Sequence, residues 1–554
     1  MTKPVVLLLG ATGLFGGLLA IRLINEKRFD VVCAGRNQSR LKAFCDDNGG
    51  RYQAFDRDNV DAVQTVMSKL RPFAVIDCAG PFQAYGDEPY KFAIAVIEAG
   101  CHYLDIADAS IFVKGFAQLD KLAKSKNVVA LSGVSSTPAI SSSVVDFLTQ
   151  DLASIESITT VIIPGNRAKR TLSVMRSILS QIGKPMIIKR HGVDETIVGW
   201  AETHKFDLNV DGKRKIKGRL ASFVDTPDIA FFPERYGVKT VEFKAGLELK
   251  SFHYALVFGR WLVSRGLIKS LEPFASSLRW LASWFEGLGS DAGGMKVSVL
   301  GTAHEGVYER REWDLIADDG QGPNIPTLPV SILLNKILDD EVKSGARACL
   351  GEISMDELDQ ALVKIGGKTQ IHKSSVKTIF NQTLGQSFDM LPKPIKALHT
   401  SLDRHIYEGE ANIKGPTGFL GRTASFLVGF PQTSSEVPVR VTITSDEKSE
   451  VWLREFDGKP FRSHLSLDNE GFVQERFGPL SIRLGLEVAG DKLLYPVVRG
   501  KLFGFIPFPM FLLPQSISHE EVDDKGRFVF DVLLKFRFGG RIAHYQGWLV
   551  KRGS

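Results

Sequence analysis

The feature that most constrains the fold is a glycine-rich loop near the start of the chain. Residues 10–16 read Gly-Ala-Thr-Gly-Leu-Phe-Gly, follow the apolar stretch 5–9 directly and lead into a helical pattern at 14–25. The first glycine allows a tight turn, the second lets the backbone approach a pyrophosphate, and the third lets the helix pack closely on the sheet. The loop therefore predicts a Rossmann-type unit that binds a dinucleotide at a helix N-terminus.

Strand and helix patterns alternate over the first 135 residues, which is typical of a parallel α/β sheet. The strand patterns lie at 5–9, 31–34, 52–55, 74–78, 103–106 and 128–131, and helical patterns lie at 14–25 and 90–99. We therefore expect an α/β protein whose Rossmann domain, residues 1–135, is completed by helices at about 325–345.

The patterning then changes along the chain. Residues 136–375 mix period-two strands with helices, which predicts a mixed α/β domain for substrate binding or dimerisation. Residues 376–389 are interpreted as a linker. Residues 390–554 show many short strand patterns between turn residues, which predicts a β-rich domain of unknown role.

The end of the second strand indicates which dinucleotide binds. An NAD-binding unit places an acidic residue there to bond the ribose 2′-hydroxyl. This chain instead has Arg36, Asn37 and Arg40 and no carboxylate. Guanidinium groups suit a 2′-phosphate through forked hydrogen bonds, so the pattern favours NADP(H) over NAD(H). The alternative is that both arginines are solvated charges at a helix start.

Two further loops follow strand ends, where the nucleotide of a parallel sheet lies. Asp56 could accept a hydrogen bond from the adenine amino group, and the small residues 78–81 leave room for the nicotinamide ribose. Both segments would also fit ordinary turns. The predicted cofactor site comprises Gly10, Thr12, Gly13, Leu14, Phe15, Gly16, Arg36, Asn37, Arg40, Asp56, Cys78, Ala79, Gly80 and Pro81.

Hydride transfer also requires a group that donates or accepts a proton. The fifth strand and the loop after it offer Tyr103, His102 and Asp105 as catalytic candidates, with Asp108 and Tyr85 as further ones. Against this, a histidine beside a strand is more often structural. No Tyr is followed four residues later by Lys, and neither H-E-x-x-H nor G-x-S-x-G occurs. The short-chain dehydrogenase pair, a metal site and a serine hydrolase are therefore not predicted.

The motifs of the first two thirds are similar to those of the saccharopine dehydrogenase-like oxidoreductase family. They are GATGLFGG at 10–17, AGR at 34–36, CAGPFQAYG at 78–86, GCHYLDIADA at 100–109, GVSSTPAISSSVVDFL at 133–148 and GGM at 293–295. The resemblance implies an NADP-binding Rossmann domain with an inserted mixed α/β domain. It does not imply lysine metabolism, because the basic pocket for two amino-acid carboxylates could not be placed in this sequence.

The C-terminal region resembles an uncharacterised domain that is fused behind reductase-like chains. The matching segments are LPKPIKALH at 391–399, VWLREFDGKPFRS at 451–463, ERFGPL at 475–480 and YQGWL at 545–549. That family implies no activity. We expect an antiparallel sheet here, in the form of a partial barrel with a ligand mouth.

Two apolar segments have two alternative interpretations. Residues 271–288 form an amphipathic pattern with Trp280 and Trp284 on its apolar face, and residues 502–513 form a second apolar run. They could be core and subunit-interface packing. Alternatively, they make peripheral membrane contact, chiefly through residues 252–288. A lipophilic substrate would then be taken from the membrane surface.

Composition bounds the remaining classes of function. The chain of 554 residues has 69 Lys and Arg against 63 Asp and Glu, a net charge of +6 that is too small and dispersed to indicate a nucleic-acid partner. Five unpatterned cysteines and no apolar run long enough to span a bilayer fit a cytoplasmic protein. A homodimer is compatible with the sequence.

Together these features predict an NADP(H)-dependent oxidoreductase acting on a lipophilic or bulky carbonyl, imine or alcohol. The alternative is a non-catalytic nucleotide-binding protein whose C-terminal domain binds a lipid or protein partner at a membrane surface. The glycine loop and Arg36 favour the first, and the lack of an acid–base signature favours the second.

Overall fold

A computed structural model describes residues 3–169, 171–303, 307–430, 432–446, 448–507, 509, 513–537 and 540–552. Of the apolar run 502–513, Phe508, Met510, Phe511 and Leu512 lie outside the described residues. The chain divides into two compact units, residues 1–374 and 375–554. Among the described residues, no helix is both long and apolar enough to cross a membrane.

The first unit contains two large sheets. Its strands are β1 Val5–Leu9, β2 Asp30–Gly35, β3 Arg51–Ala54, β4 Ala74–Asp77, β5 His102–Asp105, β6 Val129–Ser132, β7 Leu152–Ile163, β8 Pro185–Arg190, β9 Val193–Val198, β10 His204–Leu208, β11 Ile216–Phe223, β12 Thr240–Leu247, β13 Gly293–Ala303, β14 Tyr308–Ala317, β15 Gly345–Ala348 and β16 Lys368–Ser375. Its α-helices are α1 Leu14–Glu26, α2 Gln38–Asn48, α3 Val60–Leu70, α4 Lys91–Glu98, α5 Ser110–Gly115, α6 Asp120–Ser125, α7 Ser141–Leu148, α8 Leu172–Gln181, α9 Pro227–Tyr236, α10 Lys250–Ser264, α11 Ala275–Ser283, α12 Leu328–Leu338 and α13 Met355–Lys364.

The predicted Rossmann sheet is confirmed. Its strands run parallel in the order β15-β6-β5-β4-β1-β2-β3. Strand β1 consists of Val-Val-Leu-Leu-Leu and is buried along nearly its whole length, as a central strand covered on both faces should be. The returning helix α12 precedes β15, which adds a seventh strand beside β6.

A second, mixed sheet follows in the order β10-β11-β12-β7-β13-β14-β16. Strands β12 and β7 pair in parallel, whereas β13 pairs antiparallel with both β7 and β14. Helix α8 and the hairpin of β8 and β9 contribute to the same apolar cluster as this sheet. Phe243 and Ala245 of β12 and Ile162 of β7 belong to the apolar cluster that includes Leu179 of α8.

The expected linker at 376–389 is wrong. Helix α14, Ile379–Leu384, and a 3-10 helix, Gly385–Met390, occupy this segment. Ile379, Phe380 and Phe388 are buried in the core of the C-terminal unit. Burying these apolar side chains favours a packed element over a solvated connection.

The C-terminal unit is a β-rich domain, as predicted. After α14 it contains α15 Lys393–His399, β17 Arg404–Lys414, α16 Gly418–Val428, β18 Ser434–Ser445, β19 Ser449–Phe456, β20 Lys459–Leu467, β21 Val473–Phe477, β22 Leu480–Leu484, β23 Glu487–Ala489, β24 Lys492–Leu494, β25 Val497–Leu502, β26 Ile506–Pro507, β27 Gln515–Ser516, β28 His519–Val522, β29 Phe528–Lys535 and β30 Arg541–Lys551. These 14 strands form one sheet, in which the order β23-β24-β28-β29-β30-β17-β18-β19-β20-β21-β22-β25-β26 is joined by β27 beside β29.

The sheet of the C-terminal unit curves around a polar and aromatic interior. A cavity of about 80 Å³ is lined from opposite flanks of the sheet, by Trp452 and Arg454 of β19 and by Phe530 of β29. Beside it, His399 Nε2 lies 2.7 Å from a carboxylate oxygen of Glu520. The expected antiparallel sheet is therefore confirmed, with a cavity enclosed among its strands.

Candidate active site

The glycine loop has the geometry that a dinucleotide requires. Gly10 adopts φ +81°, and a Cβ atom there would lie 2.8 Å from the carbonyl carbon of Cys78 on the neighbouring strand. A Cβ atom on Gly16 would collide with the carbonyl oxygen of Gly10. Gly13 is the N-cap residue of α1, so no side chain occupies the first backbone N–H groups of the helix. The loop thus presents backbone N–H groups and the positive end of α1, a site suited to phosphate.

The two predicted phosphate-binding arginines lie in the open at the carboxyl end of β2. Arg36 and Arg40 are exposed and make no ion pair with a described residue. Asn37 has a structural role, because its side-chain oxygen caps α2 by accepting the Arg40 N–H at 3.0 Å. That cap fixes the start of α2 between the two guanidinium groups.

Asp56 follows β3 and is exposed, and its carboxylate accepts the N–H of Asp58 at 3.1 Å within a turn. The next residue, Arg57, was not among the predicted site residues. Arg57 stacks 3.5 Å above the ring centre of Tyr85 and lies 3.6 Å from the buried carboxylate of Asp77. The Tyr85 hydroxyl donates to the same carboxylate at 3.0 Å. These contacts join the loops after β3 and β4 at the edge of the sheet that carries the glycine loop.

Two catalytic candidates are placed elsewhere by the fold. His102 starts β5, so it lies at the opposite end of the strand from the glycine-loop edge, and its Nδ1 accepts the N–H of Val129 at 2.9 Å. Tyr103 is only 1% exposed and stacks on Phe116 with 5.6 Å between ring centres. Neither side chain lies at the glycine-loop edge, because His102 is at the amino end of the strand and Tyr103 is in the core.

Asp105 lies at the correct end of β5 but is fully buried. One carboxylate oxygen accepts from the N–H of Ala107, the hydroxyl of Ser132 and the N–H of Gly133, at 2.9–3.0 Å. Burial raises the pKa of Asp105 to about 7, although these hydrogen bonds oppose the shift. The side chain fixes the loops after β5 and β6 instead of facing the site, so it is a positioning residue.

A cleft of about 320 Å³ opens beside the glycine loop, within the first unit. Gly13 and Phe15 line it from that loop, Phe82 from the loop after β4, and Phe243 and Ala245 from β12 of the mixed sheet. A neighbouring cavity of about 260 Å³ shares part of this lining and extends towards Trp200 and Met295. The carboxyl end of the parallel sheet, where Rossmann folds bind ligands, thus faces a largely apolar chamber.

Two carboxyl groups line this cleft. Asp108 accepts hydrogen bonds from the amide of Gln83 and the hydroxyl of Ser177, both at 3.2 Å. Burial raises the pKa of Asp225 to about 6, a hydrogen bond from Ser110 opposes that shift, and the charge of Asp108 adds to it. Asp108 was a secondary candidate in the sequence. Asp225 was missed, because it lies in a short connection of the second domain that carries no motif.

Comparison with known families agrees with this geometry. Residues 6–131 match the family described as "Saccharopine dehydrogenase NADP binding domain", and residues 391–549 match "Domain of unknown function (DUF4166)". Among curated proteins, no sequence matches the chain.

Three solved structures illustrate the similarity. Saccharopine dehydrogenase (L-Glu forming) from Saccharomyces cerevisiae has a TM-score of 0.50 and 14% identity over 67% of this chain and 100% of that one. GenD2 from gentamicin A biosynthesis, in complex with NAD, has a TM-score of 0.32 and 13% identity over 68% of this chain and 97% of that one. The protein yvaA from Bacillus subtilis has a TM-score of 0.28 and 10% identity over 58% of this chain and 73% of that one. At these identities, the first similarity indicates a shared fold.

The predicted nicotinamide cofactor is thereby confirmed at the level of the domain, and the family resemblance seen in the motifs is confirmed for both ends of the chain. Residues 6–131 are thus similar to the saccharopine dehydrogenase NADP-binding domain, and residues 391–549 are similar to the DUF4166 domain of unknown function.

Proposed function

We propose that the chain is an NADP(H)-dependent oxidoreductase that interconverts a carbonyl or imine with the corresponding alcohol or amine. One observation carries the proposal: the cleft that contacts Gly13 and Phe15 of the nucleotide loop is also lined by the carboxyl groups of Asp108 and Asp225. A hydride donor and a proton-exchanging group would therefore meet in one chamber, as this chemistry requires.

The glycines Gly10, Gly13 and Gly16 would hold the pyrophosphate, and Arg36 and Arg40 the 2′-phosphate. Bound NADP(H) supplies or accepts the hydride. Asp225 is suited to move the proton because its pKa of about 6 leaves both protonation states populated near neutral pH. In the reductive direction, the Asp225 carboxyl group donates its proton to the substrate oxygen or nitrogen. Asp108 positions this exchange, since its charge favours the protonated form of Asp225.

The lining also indicates the class of substrate. Phe15, Phe82, Ile106 and Phe243 offer apolar surface for a bulky, lipophilic body. Two carboxyl groups favour a substrate nitrogen that carries or gains positive charge, because opposite charges attract strongly in a partly desolvated site. An amine–imine pair on an apolar body therefore fits the cleft better than the alcohol–carbonyl pair.

The test is NADPH oxidation with a panel of lipophilic imines and ketones. Asp225→Asn should lower kcat by about 100-fold or more, the contribution usual for a general acid, without weakening NADPH binding. Asp291→Asn, the same change in the adjacent cavity, is the matched control. Turnover that survives Asp225→Asn at the wild-type rate would remove Asp225 from the mechanism, and absence of NADPH binding would remove the function itself.

A peripheral membrane contact is a second candidate, supported by the exposed face of α10 and α11. The exposed side chains are Tyr254 (56%), Phe258 (60%), Leu267 (62%), Trp280 (61%) and Trp284 (66%). The cations Arg265, Lys269 and Arg279 are also exposed along this segment. Aromatic residues flanked by cations favour the headgroup region of an anionic bilayer, and a lipophilic substrate could be taken up there.

Liposome flotation tests this contact. Trp280→Ser with Trp284→Ser should abolish most of the flotation that the helix face supports. Phe419→Ser with Phe426→Ser removes two aromatic side chains of the other unit that are even more exposed, at 83% and 84%, and is the control. Equal flotation of wild type and the tryptophan variant would exclude the helix face as a membrane contact.

A further inference from the structure

The outer face of the C-terminal sheet carries a groove lined by cations. It measures about 660 Å³ and runs over β20, β21 and β22. Arg462, His464 and Arg476 line it and are exposed. The hydroxyl-bearing residues Ser466 and Ser481 also line it. Guanidinium, imidazole and hydroxyl groups together form a donor set suited to a phosphate group.

The strand register concentrates these cations in one row. His464 lies opposite Arg476, Arg476 lies opposite Ser481, and Ser481 lies opposite Lys501 of β25. Opposed residues of an antiparallel pair share a face, and like charges in that position destabilise the sheet. Burial, then the charges of Arg462 and Arg476, lower the pKa of His464. His464 is therefore held towards its neutral form, and the positive charge of this face resides on Arg462, Arg476 and Lys501.

A neighbouring position shows how this sheet neutralises paired cations when no ligand is needed. Arg483 lies opposite Arg499, and Arg483 is held by Asp468 at 2.5 Å and Glu470 at 2.7 Å. Among the residues that the structure describes, no carboxylate forms an ion pair with Arg462 or Arg476. Their counter-charge must come from solution or from a ligand.

The end of the row adjoins an aromatic hairpin tip. Lys501 pairs with Pro507 across the hairpin of β25 and β26. Between these two strands, Phe503 is 61% exposed and Phe505 is 73% exposed. Aromatic side chains beside cations are the composition of a bilayer-interface contact, which a soluble phosphorylated ligand does not require.

We propose that this face of the C-terminal unit binds the phosphate headgroups of an anionic membrane, with Arg462, Arg476 and Lys501 on the phosphates and the tip of the β25–β26 hairpin in the interface. The site lies outside the nucleotide domain and does not depend on the proposed oxidoreductase activity. It assigns a ligand class to a domain that has no known role.

The experiment measures partitioning of the full chain onto vesicles of phosphatidylcholine alone or with phosphatidic acid. Arg462→Gln with Arg476→Gln should weaken binding to the anionic vesicles by about 30-fold, since each cation near such a surface contributes on the order of 1 kcal/mol. Lys414→Gln with Arg422→Gln makes the same change in net charge outside the groove and should keep wild-type binding. All comparisons are repeated with Trp280→Ser and Trp284→Ser, so that the helix face of the first unit cannot supply the signal.

Further variants guard against misfolding, and a comparison of vesicles with inorganic phosphate distinguishes a lipid headgroup from a soluble phosphate as the ligand. Phe503→Ser with Phe505→Ser should also weaken vesicle binding, and Arg462→Lys with Arg476→Lys should retain most of it. Equal losses in the groove and control variants would overturn the proposal, since net charge alone would then explain binding. Groove-dependent binding of inorganic phosphate without groove-dependent vesicle binding would overturn the membrane source in favour of a soluble ligand.

Discussion

The carboxyl groups of Asp108 and Asp225 line one cleft, and the charge of Asp108 adds to burial in raising the pKa of Asp225 to about 6. Asp108 belongs to the Rossmann domain and Asp225 to the connection between β11 and α9. Burial also raises the pKa of Asp108, and two carboxyl groups that share a desolvated site are a recurrent device for acid–base chemistry. Here the pair forms only when the two sheets of the first unit pack together.

The pH dependence of the reductive direction follows from this pair. A general acid must carry its proton, so the rate should fall as pH rises through about 6, where Asp225 ionises. Asp108→Asn removes a negative charge that raises the pKa of Asp225. The decline of the rate with rising pH should therefore occur at lower pH in this variant. The measurement is kcat/KM against pH for wild type and Asp108→Asn. If kcat/KM declined at the same pH in both proteins, Asp108 would not act on the proton donor.

The third glycine of the loop gives a structural prediction. Gly16→Ala places a methyl group against the carbonyl oxygen of Gly10, so α1 must move away from the loop. We expect nucleotide binding to be lost and unfolding to become easier by about 1–3 kcal/mol, as for overpacked sites. Gly17→Ala, on the same helix, meets the Ala11 carbonyl oxygen at 3.3 Å and a ring carbon of Phe44 at 3.6 Å, without a collision, and should be tolerated. Isothermal titration with NADPH and urea unfolding report both effects, and equal behaviour of the two variants would contradict this geometry.

A buried glutamate of the C-terminal unit predicts a pH-dependent stability. Burial raises the pKa of Glu450 from 4.5 to about 7, and the Trp452 indole N–H bonds its carboxylate at 2.8 Å. Because the folded-state pKa lies above the unfolded one, the protonated group favours the folded state at low pH. That contribution should be lost as pH rises from about 4.5 through 7.

Glu450→Gln keeps the shape of the side chain and cannot ionise. At pH 8 it should exceed the wild type in free energy of unfolding by up to about 3 kcal/mol, and at pH 4 the two should converge. Chemical unfolding of this unit across that pH range makes the comparison. A constant difference at all pH values would show that ionisation of Glu450 is not the cause.

The parts of the fold that sequence predicted have strong local signals. The six predicted strands of the Rossmann domain appear within one or two residues of their expected bounds. Most of them are short apolar runs, as is usual for buried parallel strands, whereas β3 is an exposed to half-buried edge strand. Helix α1 begins where its pattern predicts and ends one residue later than expected. Helix α2 was missed, since it buries only Leu41 and Cys45 and has little apolar periodicity.

The placement of the predicted catalytic residues has a geometric cause. In a parallel sheet only the residues just beyond the carboxyl end of a strand reach the ligand. His102 and Asp105 are three residues apart on β5, yet they lie at opposite ends of that strand, and sequence patterns locate strand ends poorly. Asp225 could not be predicted at all, because only the packing of the mixed sheet brings it to the cleft.

The most direct test of the central claim is a fluorescence titration of NADPH and NADH against the full chain. Wild type should bind NADPH more tightly than NADH, and Arg36→Ala should lose about 10- to 100-fold in affinity for NADPH alone, the value of charge-assisted bonds to one phosphate. Lys42→Ala, an exposed cation on α2, should leave both affinities unchanged. Equal binding of the two nucleotides, or binding of neither, would contradict an NADP(H)-dependent oxidoreductase.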